Sequence, residues 1–183
     1  MALNRFACKH YASLEINNAA FQKNGHVLSQ SPLGEEYTEA SPCENGMWVA
    51  AVTAPGALQP VAAVTDPIAI VYTAEKEYDF THYGLNKFYA VAGSYPRAGI
   101  MTVGDKFTTN CFCYDSEEFA DVPALEAAFA AAATTPVYVV PVANEKAPKV
   151  TKTLPASGLV ARVVKYYTVP NGEKGIKYEI IRV

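Results

Sequence analysis

Proline and glycine interrupt this chain so often that only short elements fit between them. The 183 residues include 12 Pro and 11 Gly, which fall in segments such as SPLGEE, APGALQP, AGSYPRAG and PNGEKG. Between these segments lie short runs rich in β-branched and aromatic residues, including IAIVYT, VYVVPV and LVARVVKYYTV. Short strands with turn signals every ~8–12 residues predict a mainly β fold, a sandwich or barrel of short antiparallel strands.

The clearest single element is a hairpin at the end of the sequence. Residues 159–169 and 176–183 flank PNGEKG, in which Asn171-Gly172 can adopt the positive φ angles of a tight turn. Because LVARVV and YEIIRV are too apolar for a free hairpin, we expect both strands to lie within the main sheet.

One short alanine-rich helix is predicted at about residues 123–134. Asp121 can cap it, Pro123 suits its first turn, and ALEAAFAAAATT follows. Leu125 and Phe129 stand four residues apart, so both would face the sheet on which the helix packs.

The first 40 residues differ from the rest, because their hydrophobic residues follow neither a helical nor a strand period. We therefore divide the chain into an irregular N-terminal segment or arm, residues 1–40, and a single β-rich domain, residues 41–183. Arg and aromatic residues are enriched at interface cores, so the candidate interface residues within this segment are Arg5, Phe6 and Tyr11. The alternative is that the same residues form a first irregular strand of their own domain.

Composition and charge exclude several classes of protein. Half of the residues are hydrophobic and 18% are charged, which is typical of a folded chain. A formal net charge of −3 gives no general attraction to nucleic acid or to an anionic membrane surface. The sequence shows no secretory signal and no stretch of apolar residues as long as a membrane span. The four cysteines are therefore expected to be reduced thiols.

The spacing of Cys111 and Cys113 decides whether this chain has a metal or redox site. Structural zinc sites use Cys pairs separated by two to four residues plus a second pair, and redox pairs have two intervening residues at the start of a helix. A single intervening residue instead puts both sulfurs on one face of a strand. The other His and Cys residues are isolated in the sequence, namely Cys8, His10, His26, Cys43 and His82. We therefore expect two buried, metal-free thiols.

No other pattern indicates catalysis. The sequence contains no G-x-S-x-G, no glycine-rich phosphate loop, no H-E-x-x-H and no calcium loop. His82, in DFTHYG, could serve as a general base, but a lone histidine among aromatic residues is more often structural. We predict a protein that is not an enzyme and has no catalytic, cofactor-binding or metal-binding residues.

The central stretch from IAIVYT to TTNCF resembles a small family of tailed-bacteriophage virion proteins. The residues that carry the resemblance are Tyr78-Asp79, Phe88, Ala92-Gly93, Arg97, Gly104-Asp105 and Phe107. ENGMWVAAV upstream is similar to the opening of the family pattern, and the final hairpin is similar to its close. The resemblance covers about residues 43–183 and leaves out the N-terminal 40 residues.

The resemblance implies a decoration, cement or head-fibre protein on the capsid of a tailed bacteriophage. Its partner would be the major capsid protein, and it would be made in the host cytoplasm and reside on the capsid surface of the virion. Capsid sites are repeated by symmetry, so a homo-oligomer, a dimer or trimer, is expected. The residues alone also allow a β-sandwich recognition module that binds carbohydrate or a receptor through exposed aromatic rings. Trp48, Tyr166 and Tyr167 would serve as its stacking platform, unless Trp48 lies in the core.

Overall fold

The structure, a computed structural model, describes residues 3–21, 29–50, 56–64, 66–73, 86–168 and 172–183. Within these ranges the fold is mainly β with one helix and several antiparallel sheets, as predicted from the sequence. The first and last strands of the described chain, Leu3–Arg5 and Lys174–Arg182, belong to the same large sheet. The segment before residue 40 thus contributes to the same sheet as the final hairpin.

The large sheet has eight strands. Their bounds are β1 Leu3–Arg5, β2 Leu14–Ile16, β10 Lys106–Thr109, β11 Cys113–Asp115, β12 Tyr138–Val140, β13 Lys149–Thr151, β14 Val160–Thr168 and β15 Lys174–Arg182. Their order across the sheet is β1-β11-β13-β12-β14-β15-β10-β2. The neighbours pair antiparallel with one exception, β11 beside β13, which is parallel.

This sheet must curl, because β10 and β11 are close in sequence but five strand-to-strand steps apart in the sheet. The chain from Thr109 to Cys113 spans at most about 14 Å. Five steps in a flat sheet would separate the two strands by about 24 Å. The six strands from β11 to β10 therefore wrap around toward a barrel, and residues 110–112 cross its seam.

A second sheet has five strands, β3 Ser29–Gln30, β5 Trp48–Ala50, β6 Gln59–Pro60, β7 Ile68–Val71 and β9 Arg97–Ile100, in the order β3-β9-β7-β5-β6. A separate pair is formed by β4 Cys43–Glu44 and β8 Tyr89–Ala90. Alternate residues of β5 and β7 enter two different cores. Trp48 and Ile70 pack toward the large sheet, while Val49 and Ala69 pack on the opposite side. Burial on both faces explains why these strands read as continuous apolar runs.

The helix α1 spans Val122–Ala130 and begins as predicted, with the Asp121 carboxylate accepting a hydrogen bond from the backbone N–H of Ala124 at 2.8 Å. Leu125 and Phe129 are its buried residues, which confirms the predicted face. The helix ends four residues earlier than the predicted residue 134. The reason is local, since the hydroxyl and backbone N–H of Thr134 both donate to the carbonyl of Ala131 and close a turn there.

The final hairpin is confirmed. Strands β14 and β15 pair antiparallel along almost their whole length, and β15 lies between β14 and β10 inside the large sheet. Gly172 has the positive φ, 83°, that the predicted turn requires. Asn171 lies outside the described residues.

The prediction that Cys111 and Cys113 share one strand was wrong in part. Cys113 begins β11, but Cys111 lies in the connection between β10 and β11. The backbone N–H of Cys111 donates to the Thr109 hydroxyl at 2.9 Å, rather than to a neighbouring strand. Both thiols are buried, as expected.

Candidate interaction site at the N-terminal strands

The N-terminal strands run antiparallel to the segment that crosses the barrel seam. Leu3 pairs with Asp115, and Ile16 pairs with Phe107. The N-terminal chain thus advances 13 positions while its partner advances eight, so five extra residues loop out between β1 and β2. Seam and loop lie together at the place where Arg5, Phe6 and Tyr11 are found.

Phe6 lies in the core of its own chain. Its side chain is 5% exposed, and its ring stacks on Phe112 with 4.5 Å between the centroids. Its backbone N–H donates to the carbonyl of Phe112 at 3.0 Å. Phe112 in turn meets Phe129 of the helix edge-to-face. Phe6 therefore covers the seam and leaves little surface for a partner.

Arg5 is fixed by two acceptors. Its Nη2 donates to Glu44 Oε2 at 3.0 Å, and its Nη1 donates to the carbonyl of Phe112 at 3.2 Å. Glu44 also accepts the backbone N–H of Ala12 at 2.6 Å, from the end of the looped segment. The Arg5 side chain is 32% exposed and that of Glu44 14%. Glu44 thus joins β1, the loop and β4, and it presents the guanidinium in one orientation.

Tyr11 is half-buried next to Ala12, at the end of the loop that leads into β2. Its ring lies 4.8 Å from that of Tyr89, and its backbone N–H donates to the carbonyl of Asn86 at 3.0 Å. The structure therefore gives the three predicted residues different environments. Phe6 lies in the core, Arg5 is hydrogen-bonded in one orientation, and Tyr11 is half-exposed. Their assignment as interface residues stays a prediction.

A cleft of about 450 Å³ opens beside β1. Leu3 and Arg5, alternate residues of the strand, line one wall, and residues 40–42 and 144–147 form a rim. The Lys146 ammonium is held at this rim by the carbonyl of Ser41 and, at 2.8 Å, by its hydroxyl. The cleft volume is within the range of small-ligand and side-chain pockets. Its mixed charges, with Arg5 and Lys146 against Glu44 and Glu145, suit polar recognition.

Cys113 also lines the cleft, but its chemistry there is suppressed. Burial raises the pKa of the Cys113 thiol to about 12, so the thiol stays protonated at neutral pH. It donates weakly to the carbonyl oxygens of Ala147 and Pro148. Burial likewise raises the pKa of Cys111 to about 12, an effect that nearby Arg5 offsets only in part. These thiols are not nucleophiles at neutral pH.

Sequence reasoning missed Glu44 and Lys146, which organise the two walls of the cleft. Glu44 is 39 residues from Arg5, and Lys146 is 105 residues from Ser41. Lys146 stands in no motif, and ENGMWVAAV, which begins at Glu44, carries no local signal for the pairing with Arg5. His26 and His82 lie outside the described residues. Among the described residues, no group of three or more His, Cys, Asp or Glu is placed to hold a metal ion.

Comparison with protein-family models, curated proteins and solved structures finds no match. Within the described ranges, no helix is long and apolar enough to cross a membrane.

The residues that carry the phage-family resemblance have structural positions in this fold. Phe88 and Phe107 are buried, at 4% and 0% exposure. Gly93 and Gly104 take positive φ angles of 79° and 95° in turns. Tyr78-Asp79 lies outside the described residues. The pattern thus describes turns and core rings rather than a binding site.

We predict that Cys8 alone reacts with iodoacetamide in the native protein at pH 8. Cys8 is half-exposed, whereas Cys43, Cys111 and Cys113 are buried. Burial also raises the pKa of Cys8, so its labelling should be slower than that of a free thiol and should accelerate as the pH rises. Mass spectrometry should find one label on the folded chain and four after unfolding in guanidinium.

The Cys8→Ser variant is the control and should take no label when folded. Native labelling of Cys111 or Cys113 would contradict the buried placement of these thiols. Stoichiometric zinc that is lost on Cys111→Ser would overturn the prediction that they bind no metal.

Proposed function

We propose that this protein is a non-enzymatic structural component of a tailed-bacteriophage virion that binds the capsid shell and stabilises or decorates it. The observation that carries the proposal is the cleft beside the terminal strand β1, whose wall includes Arg5. The resemblance of residues 43–183 to phage virion proteins supports the class. The partner is the major capsid protein, and the location is the capsid surface of the virion.

The geometry at Arg5 suits a contact that must persist. Glu44 and the carbonyl of Phe112 already fix the guanidinium, so a partner need not immobilise a flexible side chain. Arginine is enriched in the dominant contacts of protein interfaces. A capsid subunit that inserts a side chain or loop into the cleft would meet polar groups in fixed positions. Such contacts add buried area across joints between capsid subunits.

Capsid sites repeat by symmetry, so we also propose that the protein is a homo-oligomer, a dimer or trimer. The net charge of −3 favours a protein partner over nucleic acid or an anionic membrane surface.

The test is co-sedimentation with empty capsids assembled from the major capsid protein of a phage that encodes this chain. Ala40 is an exposed residue of the cleft rim, so Ala40→Trp should block the cleft without disturbing the core. We expect it to weaken capsid binding about tenfold, the loss of one good contact, with an unchanged melting temperature. Ala133→Trp, also exposed but outside the cleft lining, is the matched control and should bind as the parent does.

Two results would overturn the proposal in different ways. If the parent protein does not sediment with capsids, the virion function fails. If it sediments and Ala40→Trp sediments equally well, the function stands and the cleft is not the site.

The second candidate function is a β-sandwich recognition module for carbohydrate or a receptor. Trp48 is 1% exposed and donates its indole N–H to Tyr178, so it belongs to the core and not to a stacking platform. Tyr95 and Tyr167 are exposed, at 61% and 36%, and keep this candidate open. Binding on a glycan array without capsid association would favour it.

A further inference from the structure

The outer half of the final hairpin extends past its neighbouring strand. On one side, β12 pairs with Ala161 and Arg162 of β14, and the N–H of Val163 reaches the carbonyl of Val137. From Val164 to Thr168, β15 is the strand neighbour of β14 within the described part of the chain. Val164 and Tyr167 are exposed there, at 44% and 36%. This half of β14 presents a sheet edge five residues long.

A bulge between Val163 and Lys165 sets which side chains face outward on this edge. After it, Tyr166 packs toward the helix, with its hydroxyl hydrogen-bonded to Glu126 and its ring 5.7 Å from that of Phe129. Lys165 and Tyr167 therefore point to the opposite, outer face. Lys165 is directly paired with Lys177 of β15, so two ammonium groups share that face.

Glu179, the acidic residue near these lysines, already forms ion pairs with other residues. Glu179 forms salt bridges with Lys106 at 3.7 Å and with Arg162 at 3.9 Å. Lys165 lies over the ring of Tyr167, and Lys174 lies over the ring of Tyr166 and donates to Thr168. In the part of the chain that the structure describes, Lys165, Lys174 and Lys177 have no ion pair. The edge is thus a local excess of positive charge on a chain of net charge −3.

The Lys165–Lys177 pair works against stability, because like charges directly opposite in a sheet repel each other. Lysine on an edge strand protects against unwanted sheet pairing, which explains Lys165. It does not explain Lys177, because β15 is flanked on both sides by β14 and β10. An anion that bridges the two lysines would account for both.

We propose that this hairpin edge, defined by Val164–Thr168 with Lys165 and Lys177 on its outer face, binds an acidic extended segment of another protein. The segment adds a strand to β14, in which its backbone pairs with the free edge and its carboxylates face the lysines. Val164 and Tyr167 supply apolar contact on the same stretch. A peptide fits better than nucleic acid because it satisfies the backbone edge as well as the charges. The proposal is independent of the capsid function.

The binding probe is a fluorescein-labelled peptide of about ten residues that alternates Glu and Val, a length that spans one strand. Fluorescence anisotropy with the full-length protein should show saturable binding that weakens as salt is added. A Lys–Val peptide of equal length should not bind. An N-methylated Glu–Val peptide keeps the charge but loses half of its backbone donors, and it should bind about tenfold more weakly.

The decisive variant is Lys165→Glu, because it separates binding from folding. It replaces a repulsive cross-strand pair with an ion pair to Lys177, so the melting temperature should rise by about 1 to 4 °C. Binding of the Glu–Val peptide should nevertheless fall about tenfold, because the introduced carboxylate repels the peptide and occupies Lys177. Lys87→Glu makes the same charge change at an exposed residue elsewhere and should leave binding within about twofold.

Three outcomes would overturn the proposal. The first is equal peptide binding by the Lys165→Glu and Lys87→Glu variants. The second is equal binding of the N-methylated and unmodified peptides, which would leave electrostatic attraction without strand addition. The third is tighter binding of an oligothymidine of equal charge than of the Glu–Val peptide, which would make the partner a nucleic acid.

Discussion

Removal of residues 2–17 should leave the protein insoluble or lower its melting temperature by more than about 10 °C. The deletion removes both end strands of the large sheet and the buried side chains of Phe6 and Leu14. It also uncovers the rings of Phe107 and Phe112 at the seam. Each lost or uncovered side chain of this size changes the free energy of unfolding by about 1.5 to 3 kcal/mol. Their sum is comparable with the whole stability of an ordinary domain, about 5 to 15 kcal/mol.

Two point variants separate the core contribution from the loop. Phe6→Ala should lower the free energy of unfolding by about 3 to 5 kcal/mol, since it leaves a cavity against Phe112. Tyr11→Ala should cost about 1 kcal/mol, because its ring is half-exposed and loses chiefly the contact with Tyr89. Thermal unfolding followed by circular dichroism measures the stability of the truncated protein and of the two point variants against the parent. A truncated protein that melts with the parent would show that the segment is a detachable arm.

Elements with local signals were predictable from the sequence. The final hairpin follows from a turn residue with positive φ between two apolar runs, and Gly172 has that φ. The start of α1 follows from Asp121, which caps it. The predicted end of α1 was too late, because alanine favours helix on both sides of the true end. The chain instead turns after Ala130, where the Thr134 hydroxyl donates to the carbonyl of Ala131.

The N-terminal strands could not be predicted, because their partners are about a hundred residues away. Each has three residues, too few to show a period of two, and Leu3 pairs with Asp115. The same distance in sequence hid the pairing of Arg5 with Glu44. Composition did identify Arg5, Phe6 and Tyr11 as notable residues. Composition could not show that Phe6 is buried at the seam whereas Arg5 lies in the wall of a cleft.

Gly46→Ala should be among the most destabilising single substitutions in the chain. Gly46 has a φ of 87°, and an added Cβ would stand 2.7 Å from Cys111 Cβ and 2.7 Å from Thr109 Oγ1. The left-handed backbone costs an alanine about 1 kcal/mol. Overpacking of a closed site adds about 1 to 3 kcal/mol, so the expected loss is about 2 to 4 kcal/mol in the free energy of unfolding.

The neighbours of Gly46 are unable to move aside cheaply. The Thr109 hydroxyl donates to the carbonyl of Ser13 at 2.6 Å and accepts the N–H of Cys111 at 2.9 Å, so it is bonded to both the N-terminal segment and the segment that crosses the seam. The N–H of Gly46 itself donates to the carbonyl of Val71 at 2.9 Å. Any shift that relieves the contact therefore breaks a hydrogen bond of the five-stranded sheet or of the seam.

Gly93→Ala is the matched control for this prediction. Gly93 has a similar φ of 79°, but an added Cβ there would meet no atom within 4 Å. It should therefore lose only the backbone contribution, about 1 kcal/mol. Urea unfolding of both variants isolates the packing contribution as the difference between them. Equal losses would mean that the seam segment around Thr109 and Cys111 yields to the new methyl group, and that the tight contact at Gly46 does not hold the two sheets together.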